Sequence, residues 1–177
     1  MKLGVDVYSI RSQGWNAFEY LDYSKKIGLN VVHFSDLEPF ESTEDGYLKE
    51  VKAHADELGL DLEAGMGSIC PTSASFRTGG PPWHGKTAVE RVEQMLHIAN
   101  ILDSPVLRCL LGSSADRRST QPLETHVQAT IETCKAVEDM ALDLGIKLAV
   151  ENHAGDLQGW EVKRLIEEAG PEYVGAC

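Results

Sequence analysis

Ile146-Lys-Leu-Ala-Val-Glu-Asn152, with His153 directly after it, decides the fold. The run is short and apolar, and it lies between Gly145 and Gly155, which marks it as a strand. Residues along a strand alternate between its two faces. Leu148, Val150 and Asn152 share one face; Lys147, Ala149, Glu151 and His153 share the other. One side is greasy, and the other gathers polar groups toward the C-terminal end.

Working outward, the same two-faced pattern recurs. Strands are predicted at Leu3–Ser9, Asn30–Ser35, Leu60–Gly65, Pro105–Leu111 and Tyr173–Cys177. Helical periodicity is predicted over Asn16–Ile27, Glu44–Leu58, Lys86–Leu102, Pro122–Leu144 and Gln158–Ala169, with Gly28, Gly59, Gly145 and Gly170 as stops. Strands alternating with amphipathic helices mean repeated βα units and a parallel sheet. No linker or composition shift interrupts them, so residues 1–177 read as one domain.

Two architectures fit this alternation, an open doubly wound sheet and a closed (β/α)8 barrel. A sheet covered by helices on both sides is greasy on both faces. Here Asp6, Tyr8, His33, Glu63, Arg108, Glu151 and His153 interrupt five strands on one face. In a barrel that face points inward, and polar residues near the strand ends converge on one mouth, where barrel active sites lie. No G-x-G-x-x-G follows the first strand, which removes the usual reason to choose a dinucleotide-binding sheet.

The formal net charge of −12 opposes binding to nucleic acid, and Arg117-Arg118 is too small a basic cluster to reverse it. No segment has the length or composition of a membrane span or a secretory signal. The four cysteines, Cys70, Cys109, Cys134 and Cys177, form no C-x-x-C pair. They read as reduced thiols of a cytoplasmic protein. The loop Ser68–Gly85, with Trp83 and His84, is read as a lid over the mouth rather than a plain surface loop, while His54, His97 and His126 read as surface or packing residues.

The segment Leu148-Ala-Val-Glu-Asn-His153, followed by Gly155-Asp156 and a helix, resembles the fifth-strand motif of the sugar phosphate isomerase/epimerase superfamily, the xylose isomerase-like TIM barrels. Leu3-Gly-Val5, Gly28-Leu-Asn-Val-Val-His33 and Pro171-Glu-Tyr-Val-Gly-Ala-Cys177 are similar to its first, second and sixth strands. The resemblance implies an incomplete (β/α)8 TIM barrel of about five βα units plus the sixth strand, against about 250 residues for a whole barrel.

It also implies a divalent-metal-dependent sugar or cyclitol isomerase or epimerase acting through an enediolate. Glu151 would be both metal ligand and proton-transfer base, with Mn, Mg, Co or Zn as the metal. The remaining ligands of the family would fall after Cys177, so the 177 residues are expected to be inactive alone and to hold metal poorly. His153 and Asp156 match positions that contact substrate or support the metal shell. Arg108, Glu63, His33 and Tyr8 stand where substrate contacts are common. A small-molecule sugar or cyclitol is the expected partner, with a homo-oligomer as a further possibility. Three other readings stay open: an apurinic-site endonuclease-like metal hydrolase, a non-catalytic half-barrel scaffold, and a complete flavodoxin-like sheet.

Overall fold

A computed structural model describes residues 1–77 and 82–177. Residues 78–81, in the middle of the expected lid, lie outside the described residues. The strands are β1 (Gly4–Asp6), β2 (Val31–Phe34), β3 (Asp61–Ser68), β4 (Val106–Leu110), β5 (Lys147–Glu151) and β6 (Val174–Ala176). The helices are α1 (Ala17–Lys26), α2 (Asp45–Leu58), α3 (Ala74–Arg77), α4 (Ala88–Ile101), α5 (Ser114–Arg117), α6 (Leu123–Ala136), α7 (Glu138–Leu144) and α8 (Gly159–Ala169).

The six strands are all parallel and lie in the order of the sequence, β1-β2-β3-β4-β5-β6. A doubly wound sheet reverses direction at a switch point. This sheet never does, which excludes the flavodoxin-like alternative. Sequential winding is what a (β/α)8 barrel requires.

The greasy strand faces pack against the helices. Val32, Phe34, Leu62, Ala64, Leu107, Cys109, Leu148, Val150 and Val174 are all buried there. Each fully buried Val, Leu or Phe contributes about 1.5–3 kcal/mol, so this layer fixes which side of every strand faces the helices. From the helices, Leu21, Leu48, Val51, Val92, Leu96, Ile131 and Leu165 complete the core. The helix starts follow sequence rules. Asn16 with Glu19 and Thr87 with Glu90 form reciprocal capping boxes at α1 and α4.

Four expectations need correction. The first strand ends at Asp6 rather than Ser9, because the Asp6 carboxylate accepts the Tyr8 amide at 2.9 Å and starts a 3-10 turn over Val7–Gln13. Tyr8 is therefore off the strand, exposed, with the Arg11 guanidinium 3.7 Å from its ring centroid. The third strand runs on to Ser68, through a register shift between Gly65 and Ser68. The predicted helix over Pro122–Leu144 is two helices, broken where Val137 leaves helical geometry at φ −111°.

Candidate active site at the concave face

The inner face of the sheet forms an open cavity of about 760 Å³, lined by Asp6, His33, Glu63, Arg108, Glu151 and Cys177 among others. Strand register explains the gathering. Asp6, His33 and Glu63 are directly paired across β1, β2 and β3. Arg108 is opposite Gly65 on one side and Ala149 on the other. Glu151 stands opposite Leu110. From β2 to β5 the faces inferred from alternation are the observed ones, and Glu151 lies on the open side; Val5 and Asn152, expected on the greasy face, also line the cavity, while His153, expected on the inner face, is turned to the Gly112 carbonyl.

Within the cavity the charges form two pairs. Arg108 Nε donates to Glu151 Oε2 at 2.6 Å, and its Nη2 reaches the same oxygen. Its Nη1 donates to the Met66 carbonyl at 3.2 Å. The guanidinium is thereby fixed, with its side chain 15% exposed, while the Glu151 side chain keeps 34% of its surface open. Both contacts fall on Oε2. In the second pair His33 Nδ1 lies 3.3 Å from Glu63 Oε2. Asp6 is turned to local work, accepting from Tyr8 N and the Ser35 hydroxyl.

The segment after β5 is tied down from below. His153 Nδ1 donates to the Gly112 carbonyl at 3.0 Å, which fixes the tautomer and leaves Nε2 for another partner. Asp156 corrects another expectation. It has no exposed surface, and its carboxylate oxygens accept from Gly112 N at 3.0 Å and Leu157 N at 2.5 Å. A substrate cannot touch it; it fastens the β5 loop to the β4 loop. Burial pushes its carboxyl above the ordinary carboxylate range, more than the amide donors pull it down. Between them Ala154 adopts φ 46°, a left-handed backbone uncommon outside glycine. Its carbonyl accepts from Ser114 N at 3.0 Å.

Asp116 and Arg91 escaped the sequence reading, and His126, read as a surface or packing residue, is a packing one. Asp116, at 2% exposure, accepts from Ser113 N, Ala74 N and the Ser73 hydroxyl, each at 2.9 Å. It joins the loops after β3 and β4. The Ser113-x-x-Asp116 spacing is a capping-box signature that could have revealed it. His126 is buried, with Nδ1 2.7 Å from Thr72 Oγ1 and Nε2 3.1 Å from Ser119 Oγ. Arg91, on the apolar stripe of α4 with Ala88, Val92 and Met95, is 8% exposed.

Among the described residues, no group of three His, Cys, Asp or Glu side chains stands together as a metal site. Arg108 occupies one oxygen of Glu151, the residue expected to be a ligand. Also among the described residues, no helix is long and apolar enough to cross a membrane.

The sequence profile of the xylose isomerase-like TIM barrels matches residues 11–177. No curated protein matches the chain. Solved structures do. D-psicose 3-epimerase of Clostridium cellulolyticum H10, solved with D-tagatose, superposes with a TM-score of 0.72 at 18% identity, covering 99% of this chain and 62% of its own. The 3-keto-D-glucoside 4-epimerase of E. coli gives 0.71 at 15% identity, covering 99% and 67%. The IolI protein, solved with a zinc atom, gives 0.70 at 12% identity, covering 99% and 62%. The chain thus spans under two thirds of the length of most of these neighbours, and at such identities the likeness is one of fold. With the profile matching nearly its whole length, the chain belongs to the xylose isomerase-like TIM barrel family.

Proposed function

We propose that this chain is the Glu151-bearing part of a divalent-metal-dependent sugar or cyclitol isomerase or epimerase that works by proton transfer. The supporting observation is the Glu151 carboxylate at the C-terminal end of β5, facing an open cavity and held on one oxygen by Arg108.

Moving a sugar carbonyl, or inverting the carbon beside it, begins with removal of the proton next to that carbonyl. Oε1 of Glu151 is the base. Arg108, fixed at Glu151 and at the Met66 carbonyl, aims it and is a positioning residue. His33 and Glu63 line the same cavity, which supports a role for them in hydrogen-bonding substrate hydroxyls. A bound divalent cation would polarise the carbonyl. Since the described residues gather no set of three metal-binding side chains, Glu151 would be one ligand among others, and the 177 residues by themselves are expected to be inactive. The acidic net charge counts against the endonuclease alternative.

The test is hydrogen exchange. A barrel carrying these residues together with its later strands is incubated with D-tagatose or D-fructose and Mn²⁺ in D₂O. Deuterium is expected at the carbon beside the carbonyl, and Glu151→Gln should slow its entry by about 10²–10⁴-fold. Exchange that survives the substitution at full rate defeats the reading.

A further inference from the structure

Arg108 is held more firmly than a charge in an open cavity requires. Its Nε and Nη2 both donate to Oε2 of Glu151, the first at 2.6 Å, and its Nη1 donates to the Met66 carbonyl at 3.2 Å. The backbone contact comes from the irregularity in β3. Gly65 pairs with Arg108 and Ser68 with Leu110, so β3 spends one residue more than β4 over this stretch. Such a bulge leaves ladder groups unmatched. The Met66 carbonyl inside it accepts from the guanidinium. Arg108 is thus anchored to β3 on one side and to Glu151 of β5 on the other, with its side chain 15% exposed.

This anchoring bears on the divalent cation expected at Glu151. A carboxylate oxygen has two lone pairs. The two N–H groups of Arg108 take both at Oε2, so an ion cannot grip the carboxylate by both oxygens while the pair is intact. An ion on the other oxygen stands beside a fixed positive charge. The guanidinium cannot withdraw without giving up hydrogen bonds to an ionised acceptor. The other carboxylates of the cavity wall are engaged, Asp6 with the Ser35 hydroxyl and Glu63 with His33, and Lys2 is paired with Asp61. The charge in direct contact with Glu151 is that of Arg108.

We infer that Arg108 is a built-in competitor of the divalent cation for Glu151: it lowers the affinity of this carboxylate for the ion and keeps it paired until further ligands hold the ion in place. The inference rests on the isomerase reading above and adds how that site is regulated. Coupling between two binding events is reciprocal, so an ion at Glu151 must loosen the Arg108 contact by the same factor.

Binding measurements on the full chain test it, with no activity required. Mn²⁺ affinity is read from the electron paramagnetic resonance signal of the free ion. Arg108→Met should bind Mn²⁺ about tenfold tighter than the native chain. Glu151→Gln should abolish binding, alone or combined with Arg108→Met. In the native chain, NMR follows exchange of the Arg108 Nε–H with water, its signal assigned with Arg108→Lys. Saturating Mg²⁺ should speed that exchange, a readout that stands even if Arg108→Met does not fold. Equal or weaker Mn²⁺ binding by Arg108→Met, or Nε–H exchange unchanged or slowed by Mg²⁺, would overturn the inference and leave Arg108 as a plain support of the ligand. Absence of Mn²⁺ binding by folded Arg108→Met would overturn it outright. Mn²⁺ that binds Glu151→Gln as well as the native chain lies elsewhere, and that result defeats the ligand role of Glu151 in the isomerase reading too. The two failures are therefore separately visible.

Discussion

Replacing Gly112 with alanine should be among the most damaging single-methyl additions in the chain. A Cβ at this position would lie 2.1 Å from Asp116 Oδ2 and 2.6 Å from Ser73 Oγ. Neither neighbour is a free side-chain end. Asp116 holds Ser113 N, Ala74 N and the Ser73 hydroxyl, and Gly112 itself is held through its amide by Asp156 and through its carbonyl by His153. The methyl fits only if the Asp116 carboxylate moves away. That gives up hydrogen bonds to a charged acceptor worth about 1.5–3 kcal/mol each. If two of the three are lost, the cost is about 3–6 kcal/mol. With a urea dependence of about 2 kcal/mol per M, the unfolding midpoint should fall by about 1.5–3 M.

The sharper measurement is a double-mutant cycle with Asp116→Ala. That substitution is itself destabilising, but it removes the group the methyl strikes. Gly112→Ala should then cost far less in the Asp116→Ala background than in the native one, with a coupling of at least about 1 kcal/mol. Equal costs in both backgrounds, or a Gly112→Ala variant as stable as the parent, would refute the packing account of the three-loop junction.

The two buried carboxylates of this junction should titrate in opposite senses. Burial raises Asp116, but the Ala74 and Ser113 amides and the Ser73 hydroxyl outweigh it and hold the group below the usual range. Its stabilising effect is present at neutral pH and is lost as pH falls through its folded-state value, so the stability gap between the native chain and Asp116→Asn should narrow in acid. Asp156 is held above the usual range, so its ionised form costs stability near neutrality. That cost is relieved as pH falls from its raised value through the ordinary value near 3.9, and the gap to Asp156→Asn should widen. Urea melts between about pH 3 and pH 7 decide both slopes; slopes of equal sign would sink the assignment. Ala154→Gly should be neutral or stabilising by up to about 1 kcal/mol, because it relieves a left-handed alanine; a loss of that size in the melt would mean φ 46° is not strained. Of the four cysteines only Cys177 is exposed, while burial pushes the Cys134 thiol up to about 12 and the Cys109 thiol well above its ordinary value. A thiol reagent added to native protein should therefore label one site quickly and the other three only on unfolding.

The strands and their faces were legible because period-two alternation is a local signal, and burial in the helix layer enforces it at every strand. Glu151 and Arg108 could be placed in the cavity for that reason alone. What alternation does not carry is the third dimension of the loops. Tyr8 leaves the strand because Asp6 caps the turn that follows, a competition between side chain and ladder that hydrophobic pattern does not register. Asp156 looks like a polar residue beside a motif; only the fold shows that its oxygens are consumed by two amides. Arg91 reads as one more charge on a helix until its neighbours along the stripe prove to be core. The break at Val137 likewise lies inside an unbroken helical pattern, with no proline or glycine to announce it.

The rung formed by Asp6, His33 and Glu63 has a consequence for how the sheet assembles. These residues pair across adjacent strands, with apolar neighbours one position away that belong under the helices. Were β2 to slide by a single residue during folding, His33 would be driven beneath α1 and α2, while Val32 and Phe34 would turn out to water. The polar groups thus serve as an index mark for strand alignment, and a mispaired sheet is penalised before any ligand has been met.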